Sequence, residues 1–304
     1  MARRISVPLL LDLVLVDDPA EIRELNDDPR VTRRFRRRGR LVNRVLQGRL
    51  LDVLHVRGAL LPALAPREDA ERAERQRTLE QELNPLRNRP LWTEADLAPL
   101  AAYVRGKVGE ERVGPAVQQL VGRLFVPDYR ADEESYRAAK LVDAYPGSNP
   151  LRALWWRLTG RLGRARDLLW DKAKQDRHAI HATTIALHNI VYALRTMRDL
   201  AADPGRRLRA GADSIVQQCL SAPPRLLRRS REGFATRALP GAMPAGALIV
   251  FNLNRAHAAT MDADLAFMTR GWSRCPAHAF VPALLRAVWE EVATGGGAGG
   301  GKRP

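Results

Sequence analysis

The sequence predicts a mainly α-helical fold with a small β portion, the α+β class, and three observations support this. Apolar residues recur at helical spacing through most of the first 220 residues, and the longest uninterrupted pattern covers 177–200. Short apolar runs typical of strands occur near the N-terminus and again after Pro223. The sequence has no internal repeat and no linker-like stretch, so we expect one domain over 1–294 and a flexible Gly-rich tail over 295–304.

Composition narrows the class of protein. Of 304 residues, 45% are hydrophobic and 28% charged, which is enough to bury a full core and excludes a disordered chain. The 50 basic and 34 acidic residues give a net charge of +16, which favours an anionic partner. Only five of the basic residues are Lys, so a compositional bias towards Arg explains the charge as well. The two cysteines, Cys219 and Cys275, exclude a disulfide scaffold and a four-cysteine zinc site.

The N-terminal apolar stretch resembles a secretory signal only faintly. Asp12 interrupts it, and an acidic segment follows in place of a small-residue cleavage site. We predict a single buried strand over 6–16, followed by a helix that Asp17 or Asp18 caps and Pro19 begins. No apolar run reaches the roughly 18 residues that a membrane-spanning helix needs. We therefore expect a soluble, cytoplasmic protein with no membrane partner.

The helices that follow are predicted from spacing and from boundary residues. Residues 70–83 are charged and helix-favouring and end at Asn84-Pro85, whereas 93–107 begins with a capping box from Thr93 to Asp96. Residues 151–170 carry three tryptophans, which we assign to a packing face. The predicted helices cover 19–26, 41–64, 70–83, 93–107, 115–126, 132–145, 151–170, 177–200, 210–220 and 279–292.

The residue pattern changes after Pro223, from one typical of helices to one typical of strands. Residues 225–237 and 247–254 predict two strands, and the Gly- and Pro-rich segment 239–246 predicts the turn between them. An irregular stretch then leads to Cys275 and to the last helix.

Three histidines lie on the longest predicted helix. His178, His181 and His188 are spaced so that they share one helix face, which is compatible with metal-ligand spacing. No pair of carboxylates accompanies them on that face, so buried polar positions are the simpler interpretation. The sequence also lacks the Walker, GxGxxG, HExxH and GxSxG motifs.

A basic run, RRFRRRGR at 33–40, is the densest cluster of charge. It could bind nucleic-acid phosphates or an acidic protein. Only one aromatic residue, Phe35, interrupts it, and no base-stacking platform is evident. We favour a solvated basic loop, and nucleic acid is not the expected partner.

Cys275 is the most informative residue. It lies in GWSRCPAHAF, directly before the predicted last helix, where unpaired amides and the helix dipole stabilise a thiolate. Such a cysteine suits a nucleophile or a soft metal ligand, including a ligand to haem iron. A buried structural cysteine is the alternative, and it is the interpretation that we prefer for Cys219.

From residue 179 to the last helix, the order of the motifs resembles the cytochrome P-450 family of haem-thiolate monooxygenases. AIHATT at 179–184 is similar to the oxygen-binding helix motif, and 199–230 is similar to the Glu-x-x-Arg helix, paired prolines and arginine strand. The segment 265–285 resembles the cysteine loop, with Gly271 four residues before Cys275. Weaker similarity covers the first strand and second helix, and the helix that carries a haem-propionate ligand.

Several positions depart from the family's pattern. Ala182 replaces the acid that relays protons to bound oxygen, and the Glu-x-x-Arg ion pair is missing. The chain is also shorter than typical members, with material lost around the lid helices. The departing residues are Ile180, Ala182, Gln218, Ser221, Ser273 and Ala277.

The resemblance implies a cofactor and a set of site residues. Haem b (iron protoporphyrin IX) would be bound by the thiolate of Cys275, with Thr183 and His181 as catalytic residues on the distal side. The residues implied to bind the cofactor are Arg228, Arg229, Arg274 and Gly271.

The resemblance implies an oxidative enzyme that acts on a small organic or lipid substrate. It would work as a monooxygenase or through peroxide-dependent oxidation or rearrangement. An acidic ferredoxin or flavodoxin is the expected electron donor, and a second copy or another partner would cover the shortened lid. The alternatives are a degenerate relative with a binding or scaffold role, favoured by the lost acid and ion pair, and a nucleic-acid binder, which rests on net charge alone.

Overall fold

A computed structural model describes residues 2–37, 39–87, 91–203, 211–220, 225–239, 241–260 and 262–294. The predicted tail at 295–304, Ser221 and the paired prolines lie outside the described residues. The described chain is mainly helical with small sheets, which confirms the predicted fold class.

The helices occupy most of the described chain. In order they are α1 (Pro19–Asp27), α2 (Leu41–Leu54), α3 (Ala70–Glu82), α4 (Glu94–Val104), α5 (Glu110–Arg123), α6 (Glu133–Ala144), α7 (Pro150–Leu158), α8 (Arg161–Lys172), α9 (Arg177–His181), α10 (Leu187–Ala201), α11 (Ala212–Cys219), α12 (Leu253–Thr260), α13 (Ala263–Phe267) and α14 (Phe280–Thr294). A π-helical turn, Ala182–Ala186, joins α9 to α10, and 3₁₀ turns cover Pro62–Leu64 and Pro276–His278.

The strands form one five-stranded sheet and two small hairpins. They are β1 (Arg3–Val7), β2 (Leu11–Val16), β3 (Val31–Thr32), β4 (His55–Val56), β5 (Ala59–Leu60), β6 (Leu226–Ser230), β7 (Phe234–Ala235), β8 (Ala242–Met243) and β9 (Leu248–Phe251). The large sheet has the order β1-β2-β9-β6-β3, in which only β2 and β9 run parallel.

The N-terminal prediction is half right. The expected single strand over 6–16 is a hairpin of β1 and β2, because the chain turns at Leu9, whose φ is 62°. The predicted cap of the next helix is Asp18, which accepts hydrogen bonds from the amides of Ala20 and Glu21 at 2.9 and 3.0 Å. Pro19 is the first helical residue, as predicted.

Three long predicted elements are divided. The helix over 41–64 ends at Leu54 and gives way to the β4–β5 hairpin, and the helix over 151–170 breaks at Gly160, whose φ is 66°. The strand over 225–237 contains β6 and β7, separated by a bend. The stretch before Cys275, predicted to be irregular, includes α12 and α13.

The hydrophobic residues form a large helical core and a smaller core under the sheet. On α5, Gly114 and Gly122 face the rings of Tyr136 and Tyr129, and a Cβ at either glycine would overlap the ring. Gln118, between them, donates to the backbone oxygen of Thr183 at 2.9 Å and so ties α5 to the π turn. Within the described residues, no helix has the length and apolarity to cross a membrane.

Candidate functional site

The loop that ends at Cys275 is fixed by backbone geometry. It leaves α13 at Met268, which has a φ of 52°, and its last amide, that of Cys275, donates to the oxygen of Phe267 at 2.7 Å. Cys275 caps the 3₁₀ turn of Pro276–His278, which precedes α14. A proline directly after the cysteine suits the first position of such a turn, since its missing N–H would be unpaired there anyway.

The Cys275 thiol lies deep in the protein, but its side chain keeps partial accessibility. Burial raises the pKa of the thiol, and Glu80 raises it further, whereas a hydrogen bond from the Ala277 amide lowers it. The thiol is therefore protonated until a positive partner such as a metal ion stabilises the thiolate. This environment disfavours a free thiolate nucleophile.

Three arginines from distant parts of the sequence hold the cysteine loop. Arg72 of α3 donates to the backbone oxygen of Trp272, and Arg33 donates to that of Ser273, each at 3.2 Å. Arg228 of β6 donates to the Ser273 hydroxyl, also at 3.2 Å. We call Arg33, Arg72 and Arg228 the arginine cluster.

No member of the arginine cluster has a carboxylate within ion-pair distance among the described residues, and the Nε atom of each is buried without a hydrogen-bond partner. Burial, followed by repulsion from Arg72, lowers the pKa of Arg33 to about 9. Burial and Arg33 lower the pKa of Arg228, which is only 1% exposed. Buried cations without counter-ions are costly, so this arrangement is suited to an anion that carries more than one charge.

Asn26 joins the arginine cluster to the cysteine loop. Its side-chain oxygen accepts hydrogen bonds from Arg228 at 3.1 Å and from the Ser273 hydroxyl at 3.0 Å. Its backbone oxygen accepts from the Trp272 ring nitrogen at 2.7 Å. The Trp272 ring in turn lies beneath two cations, with its centroid 4.6 Å from the Arg33 guanidinium carbon and 5.1 Å from that of Arg72.

His181, at the end of α9, is electrostatically coupled to the same cluster. It lies deep in the protein with a partly accessible side chain, and its Nδ1 is without a hydrogen-bond partner. Burial, Arg33 and His178 lower its pKa to about 4, so the imidazole is neutral near pH 7. The π turn follows directly, and such turns occur often at functional sites.

The predicted residue Thr183 has a different environment. It is fully buried, and its hydroxyl donates to the backbone oxygen of Ala179 at 2.7 Å. The hydroxyl is therefore engaged within its own helix, and a catalytic role for Thr183 stays a prediction.

The remaining predicted residues are divided between the loop and its surroundings. Arg274 pairs with both carboxylate oxygens of Glu80, and Arg229 lies next to Arg228 on the strand, where side chains alternate between faces. A Cβ at Gly271 would stand 2.6 Å from the side-chain nitrogen of Asn26, so only glycine fits there. The roles of Arg229 and Arg274 towards a cofactor stay predictions.

Sequence analysis missed Arg33 and Arg72. The solvated basic loop proposed for 33–40 is wrong at its first position, because Arg33 turns inward while Arg34 is exposed. The antiparallel register pairs Thr32 with Arg229, which places Arg33 beside Arg228 at the edge of the sheet. A predicted strand at Val31–Thr32 would have placed Arg33 next to Arg228. Two residues are too few to show the alternating pattern that predicts a strand.

A metal site made of the three histidines is not formed. His188 is buried and packs against Tyr136, at a ring distance of 5.9 Å, on the side of α6. Across the described ranges, the structure has no group of three or more His, Cys, Asp or Glu side chains that could hold a metal ion.

Neither a protein-family profile nor a curated protein matches the sequence. Solved structures do match. Cytochrome P-450SP alpha is 16% identical, with a TM-score of 0.55 over 95% of this chain and 84% of that one. Cytochrome P-450 OleT in complex with arachidonic acid is 13% identical, with a TM-score of 0.58 over 96% and 82%.

A third structure is P-450BioI in complex with an acyl carrier protein that carries hexadec-9Z-enoic acid. It is 14% identical, with a TM-score of 0.58 over 96% of this chain and 86% of that one. These similarities show that the chain has the cytochrome P-450 fold, in a form shorter than those neighbours.

Proposed function

We propose that the protein is a haem-thiolate oxidoreductase of the cytochrome P-450 family, in which Cys275 binds the iron of haem b. One observation carries the proposal: the arginine cluster, without carboxylate partners, surrounds the loop of a deep and partly accessible cysteine. Haem b combines an iron that a thiolate binds with two propionates that arginines bind. The donor set therefore fits this cofactor.

The arginine cluster would bind the propionates. Its three cations would neutralise two anionic groups, and the buried Nε atoms could donate to them. Arg33 and Arg228 supply the charge that a His or Arg two residues before the cysteine would otherwise supply, a position that Ser273 occupies here. Binding of the propionates would offset the burial and the repulsion from Arg72 that together lower the pKa of Arg33.

When bound, a haem with a thiolate ligand supplies electron density that favours cleavage of an O–O bond. His181 would act on the distal side, as the resemblance implies. Since it is neutral near pH 7 and its Nδ1 is unpartnered, it can accept a hydrogen bond or a proton from a polar group of the reactants. It would give the site a proton acceptor next to Ala182, the position at which the family's acid is missing.

The substrate class that we propose is a small organic molecule or a lipid. Two of the solved neighbours are complexes with fatty-acid ligands, and one of these involves an acyl carrier protein, which supports a lipid or a lipid carried by a protein. The oxidant is oxygen with electrons from an acidic ferredoxin or flavodoxin, or a peroxide that needs neither. The lost acid at Ala182 favours the peroxide.

The test is haem binding by the purified protein. We expect uptake of one haem per chain and the red-shifted carbon monoxide band that is typical of thiolate ligation. Cys275→Ala should abolish that band, and Cys219→Ala is the matched control because Cys219 is buried in α11 and should leave it unchanged.

Turnover of a fatty acid with peroxide, and separately with a reductase and oxygen, then distinguishes the two oxidants. A protein that takes up no haem would exclude the enzyme and leave the alternative, a P-450-like scaffold. That alternative is favoured by Gln218 in place of the family's glutamate, since among the described residues Gln218 bonds only to Ser214 of its own helix.

A further inference from the structure

Most of the exposed large hydrophobic side chains of the described chain belong to three segments. These are the β1–β2 turn, the start of α2, and α7. We call the following residues the amphipathic surface: Leu9, Leu10, Leu41, Val42, Val45, Leu151, Leu154, Trp155 and Leu158.

Helix α7 presents its apolar stripe to solvent. Leu151, Leu154, Trp155 and Leu158 follow the i, i+3, i+4, i+7 spacing of a single helix face, and they are exposed by 78, 52, 58 and 75%. Only Ala153 and Trp156 of this helix face the core. A helix on a protein surface normally buries such a stripe, but this one has no partner among the described residues.

Arginines flank the α7 stripe on both sides. On a helical projection of 100° per residue, Arg152 lies about 100° from Leu151 in one direction, and Arg157 lies about 120° from it in the other. Both are exposed. An apolar face with a Trp and flanking arginines is typical of helices that lie in a membrane interface.

The start of α2 and the β1–β2 turn are joined by hydrogen bonds. The amides of Leu41 and Val42 donate to the oxygens of Leu9 and Leu10, at 3.1 and 2.8 Å. Leu9 is 87% exposed and has a φ of 62°, a conformation that is costly for a leucine. The turn thus holds two leucine side chains outward beside those of α2.

A cleft between α2 and α7 connects the two apolar patches. It encloses about 380 Å³, and Val45 lies on one side and Leu154 on the other. Its charged lining consists of four arginines and one acid: Arg37, Arg44, Arg49, Arg157 and Asp52. Arg37 and Arg157 both approach Asp52, so the cleft keeps a net positive charge of three.

We propose that the amphipathic surface binds the interface of an anionic lipid bilayer, with the apolar side chains inserted among acyl chains and the cleft arginines against lipid phosphates. Charge complementarity selects this occupant. A second copy of the chain would bring two positive clefts together, whereas anionic headgroups neutralise them. The apolar side chains would supply the hydrophobic part of the binding, because they project outward and have no partner among the described residues.

This proposal replaces the expectation of no membrane partner. It concerns attachment to a surface and not a spanning helix, and it does not depend on haem. Its residues are separate from the cysteine loop and from the arginine cluster.

The experiment is co-sedimentation with vesicles of phosphatidylcholine alone and of phosphatidylcholine with phosphatidylglycerol. We expect binding to the anionic vesicles only, weakened by salt, and a blue shift of tryptophan fluorescence that Trp155→Phe removes. Among the tryptophans, which are all described, only Trp155 is exposed. Leu151→Glu removes a contact with acyl chains, and Arg44→Glu removes a contact with a lipid phosphate. Each variant also adds a negative charge, so each should weaken binding about tenfold or more.

Matched controls keep the test specific. Leu86→Glu changes a leucine that is 95% exposed outside the amphipathic surface, and Arg112→Glu changes an exposed arginine of α5; both should bind as the native chain does. Three results would overturn the proposal: no binding to anionic vesicles, unchanged binding by Leu151→Glu, or a dimer in solution that Leu151→Glu dissociates. Measurement of haem binding tests the proposed function separately, and neither result affects the other.

Discussion

The Arg228 guanidinium donates to the hydroxyl of Ser273 at 3.2 Å, two residues before Cys275. The arginine cluster beside the cysteine loop therefore comes from the sheet and from α3, whereas Arg274 of the loop itself pairs with Glu80. Arg33 also contacts the loop, where it donates to the Ser273 backbone oxygen at 3.2 Å. Tertiary structure assembles this cluster from residues that are far apart in the sequence.

Replacement of Arg33 by Met should have opposite effects on stability and on haem affinity. Without haem, Arg33 is a buried cation beside two others, so Arg33→Met should raise the free energy of unfolding by about 1 kcal/mol. Haem binding should weaken about 10- to 100-fold, because a charged hydrogen bond to a propionate contributes about 1.5–3 kcal/mol. Thermal unfolding of the haem-free protein and haem titration measure the two effects.

Arg34→Met is the control for that experiment, since Arg34 is adjacent in sequence but exposed. It should leave both quantities unchanged. If Arg33→Met weakens haem binding no more than Arg34→Met does, Arg33 has no part in holding the cofactor.

The stability of the haem-free protein should fall between pH 6.5 and pH 4 because of His181. Its pKa is lowered to about 4 in the folded state, so over this interval the unfolded chain binds more protons and folding becomes less favourable as the pH falls. Partial accessibility limits the effect to about 2 kcal/mol. The wild-type protein should lose that much more than His181→Gln in denaturant titrations at the two pH values, and parallel losses would contradict the assignment.

Gly114→Ala should destabilise the helical core. The added methyl group overlaps the ring of Tyr136, so α5 and α6 must separate, at a cost of about 1–3 kcal/mol. Gly163→Ala provides the control, because a Cβ there meets no atom within 4 Å and Gly163 is exposed on α8. Thermal unfolding should show a loss for the first variant and a small gain for the second.

Helix positions were predictable because they depend on local rules. The capping box of Thr93 and Asp96 is present in the structure, as predicted, and it begins α4. The breaks were harder to predict, since Gly160 and Leu9 adopt a positive φ that apolar spacing does not reveal. Apolar spacing also could not show that the stripe of α7 is exposed. Spacing shows which residues share a helix face, but not whether that face meets the core or the solvent.

The cysteine loop was predictable from Cys275 and Pro276, but the arginine cluster was not. Arg33, Arg72 and Arg228 are far apart in sequence and meet only through the β3–β6 pairing and the packing of α3 on the loop. In a chain with so many arginines, composition hides the few that are buried.

The bond between Cys275 and the iron is the central claim, and X-ray absorption at the iron of the haem-loaded protein measures it most directly. We expect one sulfur among the iron ligands in the wild-type protein and in Cys219→Ala, and none in Cys275→Ala. Iron with only nitrogen and oxygen ligands in the wild-type protein would contradict the account.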